Sequence, residues 1–159
     1  MGVPRSIEPF MATAMSRAAL DVSTSRVHLW TLGPDEASNE LRLEAVIAGY
    51  QRATAVSACE LEAAGRSVPT AGDLLVVRDA KLRPRAVVSV VESRMLAFGD
   101  VDELFAADTG EGDLSLRYWR EVHRPVFERS ARLHGCMTGE SMPIVAIRFE
   151  LVYPSQLGA

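Results

Sequence analysis

The longest periodic stretch of the chain is Leu114–Leu133. Leu116, Trp119, Val122, Val126 and Phe127 recur at three- and four-residue spacing and predict one apolar helical face. Arg117, Glu121, Arg124, Glu128 and Arg132 mark the other face, where opposite charges four residues apart become neighbours. Asp113 is placed to cap this helix. Pro125 inside it predicts a kink or a division, because proline lacks the N–H and crowds the carbonyl one turn back. Elsewhere the pattern alternates. Arg26–Leu32, 51–58, Asp73–Arg78, Ala86–Val91 (continuing toward Met95) and Ile144–Tyr153 read as strands. A helix capped by Asp35 or Ser38 runs to Ala48, with Gly49 as its left-handed stop. Glu60–Ala64 forms a helical turn, and Val101–Ala107 a short acidic helix.

The order is β, α, several β, α, long α, β, with no repeat and no regular βαβ alternation. That order predicts an α+β fold: a small, closed or half-closed antiparallel barrel of about five to six mostly antiparallel strands, flanked by helices. Residues 1–26 read as an N-terminal extension, partly disordered or loosely docked, with a short helix from Met11 to Leu20. Residues 27–154 form the domain and 155–159 a tail.

Composition narrows the function classes. A chain of 159 residues can bury a core without staples. Its net charge of −4 argues against a dedicated, tight nucleic-acid binder, and no DNA specificity is evident. A pocket for one nucleotide remains compatible. Cys59 and Cys136 have no neighbouring cysteine or histidine to make a metal signature, so no metal or cofactor is expected. They read as buried, reduced thiols of a cytoplasmic protein. No apolar run reaches the ~18–20 residues of a membrane span, and no signal-peptide layout opens the chain.

Standard catalytic signatures are missing: no Gly-x-Ser-x-Gly elbow, no Walker loop, no dinucleotide glycine pattern. His28, His123 and His134 are scattered, and His123 reads as a solvated or packed side chain rather than a general base. The arginines of the long helix read as partners of its glutamates. Arg148 lies in an apolar strand and needs an anionic partner. A structural pair with Glu111 or Glu150 and a ligand contact stand as equal readings. Glu111 sits in a glycine-flanked loop before the long helix, beside a helix N-terminus that can meet an anion. Arg52, Thr54 and Ser57, just past Gly49, suit a small polar ligand.

Four blocks carry a resemblance: Gly-Tyr-Gln-Arg-Ala-Thr-Ala (49–55), Val-Pro-Thr-Ala-Gly-Asp-Leu (68–74), Glu-Gly-Asp-Leu-Ser-Leu-Arg-Tyr-Trp-Arg (111–120) and Met-Pro-Ile-Val-Ala-Ile-Arg-Phe-Glu-Leu-Val-Tyr-Pro (142–154). Together they resemble the ASCH domain family, related in fold to the PUA domain of RNA-modifying enzymes, over residues 28–154. The resemblance implies a PUA-like β-barrel with a cleft that binds RNA, a nucleotide or a nucleoside. Some members act as ribonucleases or as amidohydrolases on acetylated cytidine. It implies catalytic roles for Thr54 and Glu111, and substrate contacts for Tyr50, Gln51, Arg52, Ser141 and Arg148. Members commonly read Gly-Lys-Lys-Arg-Ala-Thr at the first block. Here Tyr50 and Gln51 replace both lysines, and a glutamine can serve neither as an ammonium nor as a base. Two functions follow: a hydrolase of RNA or a modified nucleoside, or a recognition module that has lost the lysine chemistry.

Overall fold

The computed structural model describes residues 3–155, so all but Ser155 of the expected tail lies outside the described residues. After a 3-10 turn at Arg5–Ile7, the elements are α1 (Glu8–Ala18), β1 (Val27–Trp30), α2 (Glu36–Ala48), β2 (Ala53–Ser57), α3 (Ala58–Ala63), β3 (Leu74–Arg78) and β4 (Pro84–Ala97). A second 3-10 turn at Phe98–Asp100 leads to α4 (Glu103–Asp108), α5 (Leu116–Leu133) and β5 (Pro143–Tyr153). The α+β class holds, but the barrel does not. The five strands form one mixed sheet in the order β1-β3-β4-β5-β2. β1 is parallel to β3, while β3–β4 and β2–β5 are antiparallel. Closure would require β1 to pair with β2. These are short strands of four and five residues, each with a single strand neighbour, so the sheet stays open.

The chain divides into two compact units. The first comprises Met1–Tyr50, Thr70–Val91 and Phe149–Ala159. Here α1 begins earlier than its pattern predicts, because Pro9 occupies the first turn, where no backbone donor is needed. Ile7, Met11 and Ala14 are buried in one cluster with Leu74, Val76 and Val87. Asp35 caps α2 by accepting the Ser38 N–H, and Gly49 stops it at φ 87°, as the sequence indicated. Buried Asn39 accepts the Leu32 N–H and donates to the Arg78 carbonyl, tying α2 to the ends of β1 and β3. At the other end of β3, Asp73 accepts from Arg26 at 2.8 Å, His28 at 2.9 Å and the Thr70 N–H at 2.9 Å. Burial alone would raise this carboxyl, but the Thr70, His28 and Arg26 hydrogen bonds outweigh it and hold it below its ordinary value of 3.8.

The second unit comprises Gln51–Pro69 and Glu92–Arg148. Its core is aromatic: Phe98, Phe105, Trp119 and Phe127 pack with Ala53, Met142, Ile144 and Ala146. The buried stripe of α5 is Trp119, His123, Phe127 and Ala131, a strict four-residue spacing. His123 stands where the pattern expected Val122, and Val122 and Val126 are only half-buried at the flank. Ser115, not Asp113, caps α5 by accepting the Tyr118 N–H. Asp113 instead accepts the Ser115 N–H, which fixes the turn ahead of the cap. Pro125 does not divide the helix. It lies on the exposed side, as does Glu121, whose carbonyl proline leaves unmatched. The two cysteines are not free thiols: Cys59 of α3 and Cys136, just after α5, form a disulfide across 77 residues. Sequence spacing carried no sign of it, since only folding brings two such distant positions together.

Candidate functional site

All but one of the expected catalytic and substrate-contacting residues lie in the second unit. At the start of β2, the Arg52 N–H donates to the Asp108 carbonyl at 2.8 Å, and its guanidinium donates to Asp108 Oδ1 at 2.9 Å. Arg148, the register partner of Ala53, donates Nε–H to Asp108 Oδ2 at 3.2 Å. Each carboxylate oxygen thus takes one guanidinium. The Arg148 Cζ lies 5.4 Å from the centroid of the Phe105 ring, and Nη1 lies 3.9 Å from Glu92. The partner of Arg148 is therefore Asp108, with Glu92 nearby, rather than Glu111 or Glu150. Asp108 ends a short helix, and nothing in its local sequence sets it apart from the other acids of that helix. The cluster is open to solvent, with side-chain exposures of 67% for Arg52, 29% for Asp108 and 25% for Arg148.

The second grouping is Glu111 with His123, a residue whose role sequence reasoning missed. Glu111 lies between two left-handed glycines, Gly110 at φ 70° and Gly112 at φ 55°. A Cβ on Gly112 would come within 2.5 Å of the Tyr118 ring, so only glycine allows this close approach. The loop brings the Glu111 carboxylate to His123 Nε2, at 3.0 Å and 3.3 Å from its two oxygens. An ionised carboxylate only accepts, so Nε2 carries the proton that it donates. The imidazole packs against two rings of the same helix, Trp119 with centroids 4.7 Å apart and Phe127 with centroids 5.7 Å apart. Exposures of 7% for His123 and 13% for Glu111 make this a largely desolvated pair. A lone histidine at the edge of an apolar stripe gave no hint of it. The spacing Trp119–His123–Phe127 was the available signal.

The remaining residues stand apart from these groups in different ways. Gln51 is buried; its amide N–H donates to the Ala53 carbonyl at 3.1 Å, and Oε1 has no hydrogen-bond partner among the described residues. Thr54 is the register partner of Ile147, whereas Ala53 partners Arg148. Side chains alternate across a sheet, so Thr54 projects from the face opposite Arg148, and it is buried there. Ser141 is exposed at the entry to β5. Tyr50 belongs to the first unit, where its ring is exposed and its N–H donates to the Ala45 carbonyl.

An open groove of about 550 Å³ runs along the outer side of α5, beside Glu103, and contains none of the expected catalytic or substrate-contacting residues. Its arginines are engaged in the protein. Arg117 pairs with Glu121, Arg120 donates to the Gly99 and Val101 carbonyls, and Arg124 pairs with Glu140 over the Phe98 ring. Among the described residues, no cluster of three or more His, Cys, Asp or Glu side chains could hold a metal ion. No described helix is long and apolar enough to cross a membrane.

The chain is similar to the ASCH domain of Lactobacillus crispatus JV V101, at 25% identity and a TM-score of 0.84, over 96% of this chain and 98% of that one. It is also similar in fold to a protein of Enterococcus faecalis V583, at 22% identity and a TM-score of 0.77, over 93% and 88% of the two chains. No curated protein matches it in sequence. A family model described as the ASCH domain matches residues 28–153, which takes in both acidic groupings, and the chain belongs to the ASCH domain family.

Proposed function

We propose that the second unit recognises a nucleotide or the end of a single-stranded RNA, with Arg52 and Arg148 meeting its anionic group. The observation that carries this reading is the pair of guanidiniums aligned on one carboxylate, Asp108, with Arg148 against the Phe105 ring. A guanidinium has five N–H donors in a rigid fork, and Asp108 takes one from each side chain. The remaining donors suit phosphate oxygens, and the partial exposure of the cluster lets a ligand reach them. Family membership and the retained 49–55 and 111–120 blocks support the same ligand class. The test is a thermal-shift panel of nucleosides, nucleotides and short RNAs. A ligand at about one hundred times its Kd should stabilise the protein by about 2.7 kcal/mol. Arg148→Ala should remove that shift, and a flat panel would defeat the reading.

A second reading, hydrolysis of RNA or of an acetylated nucleoside, is favoured by the Glu111–His123 pair. A desolvated, hydrogen-bonded carboxylate is suited to accept a proton from an attacking water. Gln51 stands in the place of a family lysine and supplies neither an ammonium nor a base, so Glu111 would carry the proton transfer without it. Incubation with single-stranded RNA and with N4-acetylcytidine tests this. Turnover that vanishes in Glu111→Ala supports it, and turnover indifferent to that change defeats it.

A further inference from the structure

We infer that His123 is the positioning residue of the site, holding Glu111 in the orientation in which its carboxylate works as a base; this rests on the hydrolytic reading above. Glutamate on a glycine-flanked loop would ordinarily sample several rotamers, and holding such a side chain in one costs conformational entropy. Here one imidazole N–H reaches both oxygens, at 3.0 Å and 3.3 Å. The ring making that bond cannot reorient freely. It packs in a triangle with the rings one helical turn before and after it on α5, Trp119 at an interplanar angle of 31° and Phe127 at 24°, and those two rings also meet each other at 6.2 Å between centroids. Trp119 is itself fixed by Phe98 and Phe105. The direction of the Nε2–H bond is thus set by a rigid helix and an aromatic core, and the loop carboxylate takes its orientation from that bond.

The chemical step is proton transfer with a closed balance. Glu111 accepts the proton released as water oxygen bonds to the acyl carbon or phosphorus, and the proton then passes to the departing nitrogen or oxygen as its bond breaks. No oxidant, reductant or metal enters. His123 does not touch the substrate. Its part is to hold the accepting carboxylate and to offset its charge through the donated N–H.

Two substitutions separate this role from simple packing. His123→Phe keeps a flat ring against Trp119 and Phe127 and removes the N–H. His123→Gln keeps an N–H donor and gives up the ring. Both would be assayed with N4-acetylcytidine and with single-stranded RNA for kcat and KM, and each protein would be labelled with carboxyl-13C glutamate to read the Glu111 resonance. His123→Phe should melt close to wild type, lose about tenfold or more in kcat with KM nearly unchanged, and show a displaced Glu111 resonance. His123→Gln should regain part of both. Wild-type kcat in a folded His123→Phe protein would overturn the inference. If wild type turns over neither substrate, the hydrolytic reading fails by itself and the resonance decides the role of His123. A Glu111 signal that moves in His123→Phe and returns in His123→Gln supports positioning, and one that is the same in all three proteins overturns it. Should His123→Phe fail to fold, His123→Met takes its place as the variant that fills the site and lacks the donor.

Discussion

Among the described residues, two largely buried pairings join a histidine to an acid, and they are built differently. In the first unit Asp73 receives His28 together with the Arg26 guanidinium and the Thr70 N–H. In the second unit Glu111 receives His123, whose ring packs against Trp119 and Phe127. Arg26 and His28 belong to β1 and its approach, while Asp73 leads directly into β3, so the Asp73 cluster fastens a parallel strand pair at its start. Its carboxylate is drawn below its ordinary value by those donors. Such a group is a fastener, too strongly held to serve as a base near neutrality. Glu111 comes from a loop and meets a rigid helix face, which is how a reactive group is held on a scaffold. The same two residue types, an acid and a histidine, thus do mechanical work in one unit and, in the hydrolytic reading proposed above, carry proton transfer in the other.

The sharpest way to part the two regions is to reduce Cys59–Cys136, which lies only in the second unit. Loop entropy for a closure of this length is worth up to about 4.5 kcal/mol. Hydrogen exchange should therefore show the α5 amides losing protection on reduction, with the Leu74–Val77 amides of the first unit less affected. Asp73→Asn is next. It leaves Arg26 and His28 facing a neutral amide, and should cost about 2–3 kcal/mol in urea unfolding. The pH dependence has a definite sign. Because the folded Asp73 carboxyl lies below 3.8, its stabilisation is complete above that value and is lost as the pH falls through the folded one. Asp73→Asn should flatten that acid limb of the stability curve. Glu111→Gln is the mirror experiment. Its amide oxygen can still accept from His123, so stability should change by about 1 kcal/mol or less while any turnover is abolished. Loss of more stability at Glu111 than at Asp73 would reverse the assignment of roles. Arg52→Gln is the smallest. The exposed pair with Asp108 contributes roughly 0–1 kcal/mol, so unfolding should barely move while the thermal shift caused by a nucleotide shrinks.

Local features were legible and non-local ones were not. Asp35 with Gly49 bounded α2 correctly, because a cap and a left-handed glycine act within a few residues. The alternation of β5 and the long period of α5 located both elements. The α5 cap moved from Asp113 to Ser115, since two adjacent capping residues compete and the loop geometry decides between them. Barrel closure was misjudged because strand number and order do not state whether the end strands meet. Asp108 escaped notice because the partner of Arg148 lies 40 residues away. His123 was set aside for a subtler reason. Hydropathy treats histidine as a polar residue, and it does not record that its flat ring can stack like an aromatic one. The Tyr118 ring over Gly112, which completes the Glu111 loop, was likewise beyond any reading of spacing.

The cross-link also bears on chain integrity. Cys59 and Cys136 enclose α4, the Glu111 loop and α5 within one covalent ring. A protease that cuts an exposed bond in the ring, such as one beside Gly112 or Asp113, opens it without releasing a fragment. The nicked protein would migrate as a single species on a non-reducing gel and as two pieces after thiol treatment. Until it is reduced, the strand bearing Thr54 and the strand bearing Arg148 stay joined through the cystine even though the backbone between them is severed.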